Sequence, residues 1–232
     1  MERILFGSGR RIRAAGDFKV TCDGETVQRV TSIVYLGVRL DQCLSFDEYV
    51  VKVCKNANNR LSFLYSYSHL LDVQTRKMLC NSLVLSNLTY CISAWYPGLG
   101  TGLKDRLNVV QRKMVRFVNG WKPREHVGDQ EIKSVRWLIF PKRASLSQLC
   151  HLFKIRAGLA PSYLSRDFCP TGDIHRHHTR GSDLNYFIDS RKFPPNTFHY
   201  TTVREWNALP HDLRGAPSLS SFKRKLRQHF MS

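Results

Sequence analysis

The sequence predicts an α+β fold that is mainly α: a short N-terminal β-hairpin region, then a helical bundle, then a mixed helix and loop C-terminal region. Three observations carry this. Before residue 44, apolar residues alternate on both sides of a Cys22-Asp23-Gly24-Glu25 turn. From Phe46 the apolar period changes to three and four residues. That longer period then returns in separate segments as far as Phe230. With 42% hydrophobic and 23% charged residues in a chain of 232, there is ample material for a core, which excludes wholesale disorder.

Ile4-Leu5-Phe6 reads as a strand core, followed by a basic turn at Gly7-Ser8-Gly9-Arg10-Arg11. Phe18 to Thr21 and Val27 to Ile33 alternate around Asp23-Gly24, a hairpin signal because both turn residues tolerate positive φ. Ile33 to Asp41 reads as a buried strand that turns at Gly37 and feeds, through Leu44-Ser45-Phe46, a long amphipathic helix. The helix is predicted over 46–70 from Phe46, Tyr49, Val53, Ala57, Leu61 and Leu64. Asp72 is the expected N-cap of a second helix over 73–96. From Met78 onward this helix is apolar nearly all round (Leu79, Leu83, Val84, Leu85, Leu88, Cys91, Ile92, Trp95), so a central, buried position is expected.

Pro97-Gly98-Leu99-Gly100 ends it, and Leu103, Leu107, Val110, Met114 and Phe117 mark a third helix. A fourth is predicted over 142–157. The stretch 169–195 reads as loop with one strand near Tyr186-Phe187-Ile188. Ser218 caps a last helix with Leu219, Phe222, Leu226 and Phe230 on one face and Lys223, Arg224, Lys225 and Arg227 around it. The predicted division is 1–44, 45–120 and 121–232.

The net charge of +18 is the strongest bulk signal. So large an excess destabilises a compact state by self-repulsion unless a polyanion screens it, and nucleic acid is the usual polyanion. Between Leu103 and Arg166 there are 14 Lys or Arg against four acids. Arg112, Lys113 and Arg116 lie off the apolar stripe of the third helix, free for phosphates. With Lys104, Arg106, Lys122 and Arg124 they form the candidate nucleic-acid-binding set. Trp121, Trp137 and Tyr163 have the chemistry to stack on bases, though core packing is the expected fate of each. A membrane partner is not expected: the longest apolar candidate, Met78 to Tyr96, is broken by Asn81, Ser82, Ser86, Asn87 and Thr89.

The seven cysteines are an odd number, widely spaced and without Cys-x-x-Cys. Cys54, Cys80, Cys91 and Cys150 fall on apolar helical positions. This pattern suits a reducing compartment, and the N-terminus lacks a signal-peptide core, so an intracellular protein of nucleus or cytoplasm, not a secreted one, is expected.

Ile33-Val34-Tyr35-Leu36-Gly37-Val38-Arg39-Leu40-Asp41, in this order before a basic helical segment, resembles the palm end and thumb start of reverse transcriptases of non-LTR (LINE-type) retrotransposons. Leu88-Thr89-Tyr90-Cys91-Ile92-Ser93-Ala94-Trp95 with Leu107 to Arg116 is similar to their thumb pattern. Trp206-Asn207-Ala208-Leu209-Pro210 with Ser221 to Leu226 resembles the tail of jockey- and CR1-like open reading frames. The resemblance implies an RNA-directed DNA polymerase ancestry, with Tyr35, Leu36 and Gly37 in the place of the primer grip. It implies an RNA/DNA template-primer held by its backbone, and a palm and fingers portion as the second partner. The family's paired catalytic aspartates would lie upstream of residue 1, and the Mg2+ that they hold belongs to the full-length enzyme. In this chain no catalytic, cofactor or metal residue is expected. Asp47-Glu48, the sole acidic doublet, opens a helix, where the helix dipole accounts for it. Cys169, His175, His177 and His178 lack the separated, converging pairs of a zinc site and read as a basic loop cluster. The chain alone is therefore expected not to polymerise. The alternative is a free-standing nucleic-acid-binding or architectural protein without polymerase ancestry.

Overall fold

The computed structural model describes residues 2–16, 18–174 and 184–232. Helix makes up 58% and strand 8%, an α+β and mainly α architecture as the periodicities predict. The strands form three two-stranded sheets: β1 (Glu2–Arg3) is parallel to β4 (Gln28–Arg29), β2 (Thr21–Cys22) antiparallel to β3 (Glu25–Thr26), and β5 (Ser32–Tyr35) antiparallel to β6 (Val38–Asp41). The β2–β3 turn is the expected Asp23-Gly24, both at positive φ. Ile4 to Phe6 are not strand. The expected basic turn is instead a short helix, α1 (Gly9–Ala14), because the Ser8 hydroxyl accepts the Arg11 amide and caps it. The β5 strand is half-exposed to exposed, not buried; in this sheet it is β6, through Val38, that packs on the first core.

Asp41 joins this region to the helices. Its carboxylate accepts from the amides of Cys43 (3.0 Å), Ser45 (3.1 Å) and Phe46 (2.8 Å) and from the Ser45 hydroxyl (3.1 Å). The chain needs this clamp, because Leu44 and Phe46 both sit at left-handed φ (52° and 59°), which costs a residue with a Cβ. Burial acts to raise the Asp41 pKa, but the hydrogen bonds from Ser45, Phe46 and Cys43 outweigh it and hold the carboxyl below its ordinary range.

From this corner runs α2 (Asp47–Ser66), which buries Tyr49, Val50, Val53, Cys54, Ala57, Leu61 and Leu64 on one face. A 3-10 turn, Ser68–Leu70, follows it. Then α3 (Val73–Leu79) starts at Asp72, whose carboxylate accepts the Thr75 amide at 2.7 Å. The single helix expected over 73–96 does not form. Instead α3 passes into a π-turn (Cys80–Leu85), then α4 (Ser86–Leu88), then a break at Cys91 (φ 51°), then α5 (Ile92–Trp95). The cause is a row of hydroxyls that bond carbonyls four residues back: Ser82 to Met78 (3.0 Å), Ser86 to Ser82, and Thr89 to Leu85 (2.8 Å). Such side chains compete with the helical ladder and loosen it. Nor is the segment buried all round: Met78, Leu83 and Cys91 are exposed, while Cys80, Val84, Leu85, Leu88, Ile92 and Trp95 face the core. The third helix, α6 (Thr101–Asn119), ends at Gly120 in the left-handed region (φ 70°), as a C-cap glycine should.

The remaining helices are α7 (Asp129–Ser134), α8 (Phe140–Arg156), α9 (Thr171–Ile174), α10 (Phe198–Asn207), α11 (His211–Arg214) and α12 (Leu219–Met231), the last capped by Ser218 as expected. Near Tyr186 there is one isolated bridge, to Pro170, rather than a strand. Two hydrophobic cores meet on α8. Phe140 and Ala144 complete the first, which runs from Val38 through Val127, Ile132 and Trp137. Leu146, Leu149, Leu152 and Phe153 belong to the second, with Trp206, Phe222 and Leu226. Two hydrogen bonds tie polar side chains across elements: Gln111 Nε2 donates to the Leu138 carbonyl and Trp137 Nε1 to Asn81 Oδ1, each at 2.8 Å.

Asp41→Ala is expected to lower stability by about 1–3 kcal/mol, because charge-assisted hydrogen bonds are lost and two left-handed residues are released. A group whose folded pKa is depressed stabilises above its ordinary value, here 3.8, and loses that contribution as pH falls through the folded value. Urea unfolding followed from pH 6 down to about pH 2 should therefore show an acid-dependent loss in the natural chain that is smaller in the variant.

Candidate nucleic-acid interface

The β5–β6 hairpin closes through the two residues Leu36 and Gly37, both at positive φ (46° and 83°), the geometry of a type I′ turn. Glycine suits its place; leucine does not, since a Cβ in the left-handed region costs about 1–2 kcal/mol. The Tyr90 hydroxyl donates to the Leu36 carbonyl at 2.9 Å and fixes the strained turn from the α4–α5 break. Thus the irregularity in the helix has a consequence: it turns Tyr90 outward to the hairpin while Ile92 and Trp95 enter the core. The tip itself presents apolar surface to solvent, with Val34, Tyr35 and Leu36 at 57%, 63% and 74% exposure.

Behind the tip, between the hairpin and α2, lies a groove of about 370 Å3 lined by Arg39, Lys52, Asn56, Asn87 and Tyr90, with Tyr49 at its floor. Tyr49 packs edge-on against Trp95, and burial pushes its pKa up to about 12, so it stays a neutral phenol. Asn87 Oδ1 is buried without a protein partner among the described residues. Lys52, Asn56 and Phe63 follow one flank of α2 at helical spacing, and Phe63 (63% exposed) packs on Tyr67 with ring centroids 5.1 Å apart. Lys52, Asn56 and Phe63 are not among the residues that the sequence marks as candidates. The helical spacing of Lys52, Asn56 and Phe63 was the available signal.

On the other side of α2 is a second groove of about 410 Å3, against α6, lined by Lys55, Asn58, Asp105 and Arg106. Lys113 Nζ donates to Asn58 Oδ1 at 2.8 Å, and Tyr65 donates to the Lys113 carbonyl. Arg106, Lys113 and Arg116 fall along one edge of α6, with Val109 between them. The charge on this double groove is dominantly positive: Arg39, Lys52, Lys55, Arg106 and Lys113 stand against Glu48, which lies 3.9 Å from Arg39, and Asp105.

Of the predicted set, then, Tyr35, Leu36 and Gly37 form one hairpin tip, and Arg106 and Lys113 flank the α2–α6 groove. Arg116 Nε donates to the Glu125 carbonyl at 2.7 Å, tying down the loop that carries the exposed Lys122 and Arg124. Arg112 is exposed. Lys104 does not join them: it is half-buried, with its ammonium 5.4 Å from the Tyr96 ring centre, on the opposite flank of α6. Trp137 is core, Trp121 packs against the first core, and Tyr163 remains 62% exposed. Cys169 is exposed, while His175, His177 and His178 lie outside the described residues. Asp47 and Glu48 point outward in the first turn of α2, and no group of three acidic, His or Cys side chains able to hold a metal occurs among the described residues. No described helix is long and apolar enough to cross a membrane.

No protein-family model, curated protein or solved structure matches the chain.

Leu36→Asn, which suits a left-handed turn position, is expected to stabilise the protein by about 1 kcal/mol in urea unfolding. Unchanged or lower stability would mean that the turn is not strained.

Proposed function

We propose that this chain is the palm-end, thumb and tail portion of a non-LTR retrotransposon reverse transcriptase, and that its own task is to grip the template-primer through the sugar-phosphate backbone. The observation that carries the reading is the exposed, strained hairpin tip at Tyr35-Leu36-Gly37, which stands beside a basic double groove. An apolar tip held rigidly at an energetic cost is useful where it must press against a ligand. The flanking Arg39, Lys52, Lys55, Arg106 and Lys113 supply what a phosphate backbone needs, and base-edge readout is not called for.

The resemblance assigns synthesis to aspartates and Mg2+ of an upstream palm and fingers portion, which is the second proposed partner. Support comes from the N-terminal region: its sheets are two-stranded, and Phe6, Phe18 and Val20 are exposed, so it presents strand edges and apolar groups that a larger palm would cover. A free-standing architectural protein would be expected to bury these groups itself, so that reading ranks second. RNA and DNA acting as ligands agree with a nuclear or cytoplasmic site of action.

Filter binding to an RNA–DNA hybrid with a recessed 3′ end, over a salt series, tests the proposal. Arg106→Ala combined with Lys113→Ala should reduce the slope of log affinity against log salt by about 1 to 2. Tyr35→Ala should weaken the recessed-end hybrid more than a blunt one. Absent or salt-insensitive binding by the natural chain would overturn the reading.

A further inference from the structure

A third basic groove, of about 380 Å3, lies outside the surface described so far, between α8 and α12. Arg143, Ser147, His151 and Lys154 line it from α8, at helical spacing along one face, and Lys223 and Arg227 face them from α12. No acidic residue lines it, and none of the four Lys and Arg side chains has a carboxylate within ion-pair distance among the described residues. Two packed helices have therefore brought like charges together. Arg227 is held there by its bond to the Arg136 carbonyl at 2.7 Å.

Arg143 is the most telling. Its Nε is buried and has no hydrogen-bond partner among the described residues. Burial, with Arg227 nearby, depresses its pKa to about 10, still far above neutral, so it remains a cation. A guanidinium whose Nε is buried without a partner, beside three more cations, is costly unless an anion offsets the charge. Lys154 and Lys223 converge on the same place, since both act on the half-buried Cys150 thiol between them. By contrast, Arg224, the next residue on α12, is exposed and does not line the groove.

We infer that the α8–α12 groove is a phosphate-binding site, which takes a backbone phosphate of the bound nucleic-acid strand beyond the segment gripped by the hairpin and α2–α6 grooves. This rests on the reading of the chain as a nucleic-acid-binding protein. Arg143 and Arg227 would donate from the sides, the Lys154 and Lys223 ammoniums would supply charge, and the Ser147 hydroxyl a further donor.

The test uses the whole chain with Lys223→Glu, and Arg224→Glu as a control of equal charge change. Both positions are exposed, so folding should persist. Lys223→Glu is expected to weaken hybrid binding about tenfold and to lower the salt slope by about 1, whereas Arg224→Glu changes binding less than threefold. Inorganic pyrophosphate should raise the melting temperature of the natural chain and of Arg224→Glu, but not of Lys223→Glu. Equal effects of the two variants on the hybrid, with the natural chain binding it, would overturn the groove and leave the hairpin reading standing. Pyrophosphate stabilisation that Lys223→Glu removes, in a chain that binds no hybrid, would overturn the nucleic-acid assignment and keep an anion site. Loss of both signals in the natural chain would overturn site and reading together.

Discussion

The Asp41 carboxylate is the joint on which the architecture turns. It lies at the end of β6 and collects three amides and a hydroxyl from the next five residues, so that a strand becomes a helix within a few ångströms. Without those acceptors, Leu44 and Phe46 would have no reason to adopt left-handed backbone. With them, the start of α2 is placed against the hairpin, and its buried face is aimed at the first core. The hairpin groove exists because this corner is rigid.

The far wall of that groove depends on a different kind of irregularity. Ser82, Ser86 and Thr89 weaken one helix by bonding to its own carbonyls, and the resulting π-turn and break re-aim every later side chain. A regular helix could not send Tyr90 to the Leu36 carbonyl while keeping Ile92 and Trp95 in the core. The local loss of helical hydrogen bonding is offset by burial of Trp95, whose indole N–H bonds the Tyr90 carbonyl at 2.8 Å. Strain in the turn and disorder in the helical ladder are thus coupled through one phenol.

Electrostatics links the two halves. The chain carries a net charge of +18, and in grooves on both cores the cations outnumber nearby acids. In the α2–α6 groove Asp105 and Asn58 partly relieve the charge; in the α8–α12 groove nothing acidic does. The α8–α12 groove therefore carries the clearer electrostatic demand for an anion.

Much of this was legible in the residues. The Asp23-Gly24 hairpin, the stripes of α2, α6, α8 and α12, and the caps at Asp72 and Ser218 follow from local rules: period, turn propensity and side-chain acceptors. The sequence by itself determined the mainly α class, the basic character, and the Tyr35-Leu36-Gly37 turn as a point of interest. It did not determine that this turn is a solvent-exposed hairpin tip, that Lys104 leaves the basic set for the Tyr96 ring, or that Arg143 would stand opposite Lys223 and Arg227 with its Nε buried. Those outcomes depend on contacts between different elements, from eight positions apart for Lys104 and Tyr96 to tens of positions for Leu36 with Tyr90 and Arg143 with Lys223. Periodicity says which face of a helix is polar; only the packing of one helix on another decides which polar groups meet, and at what cost in desolvation.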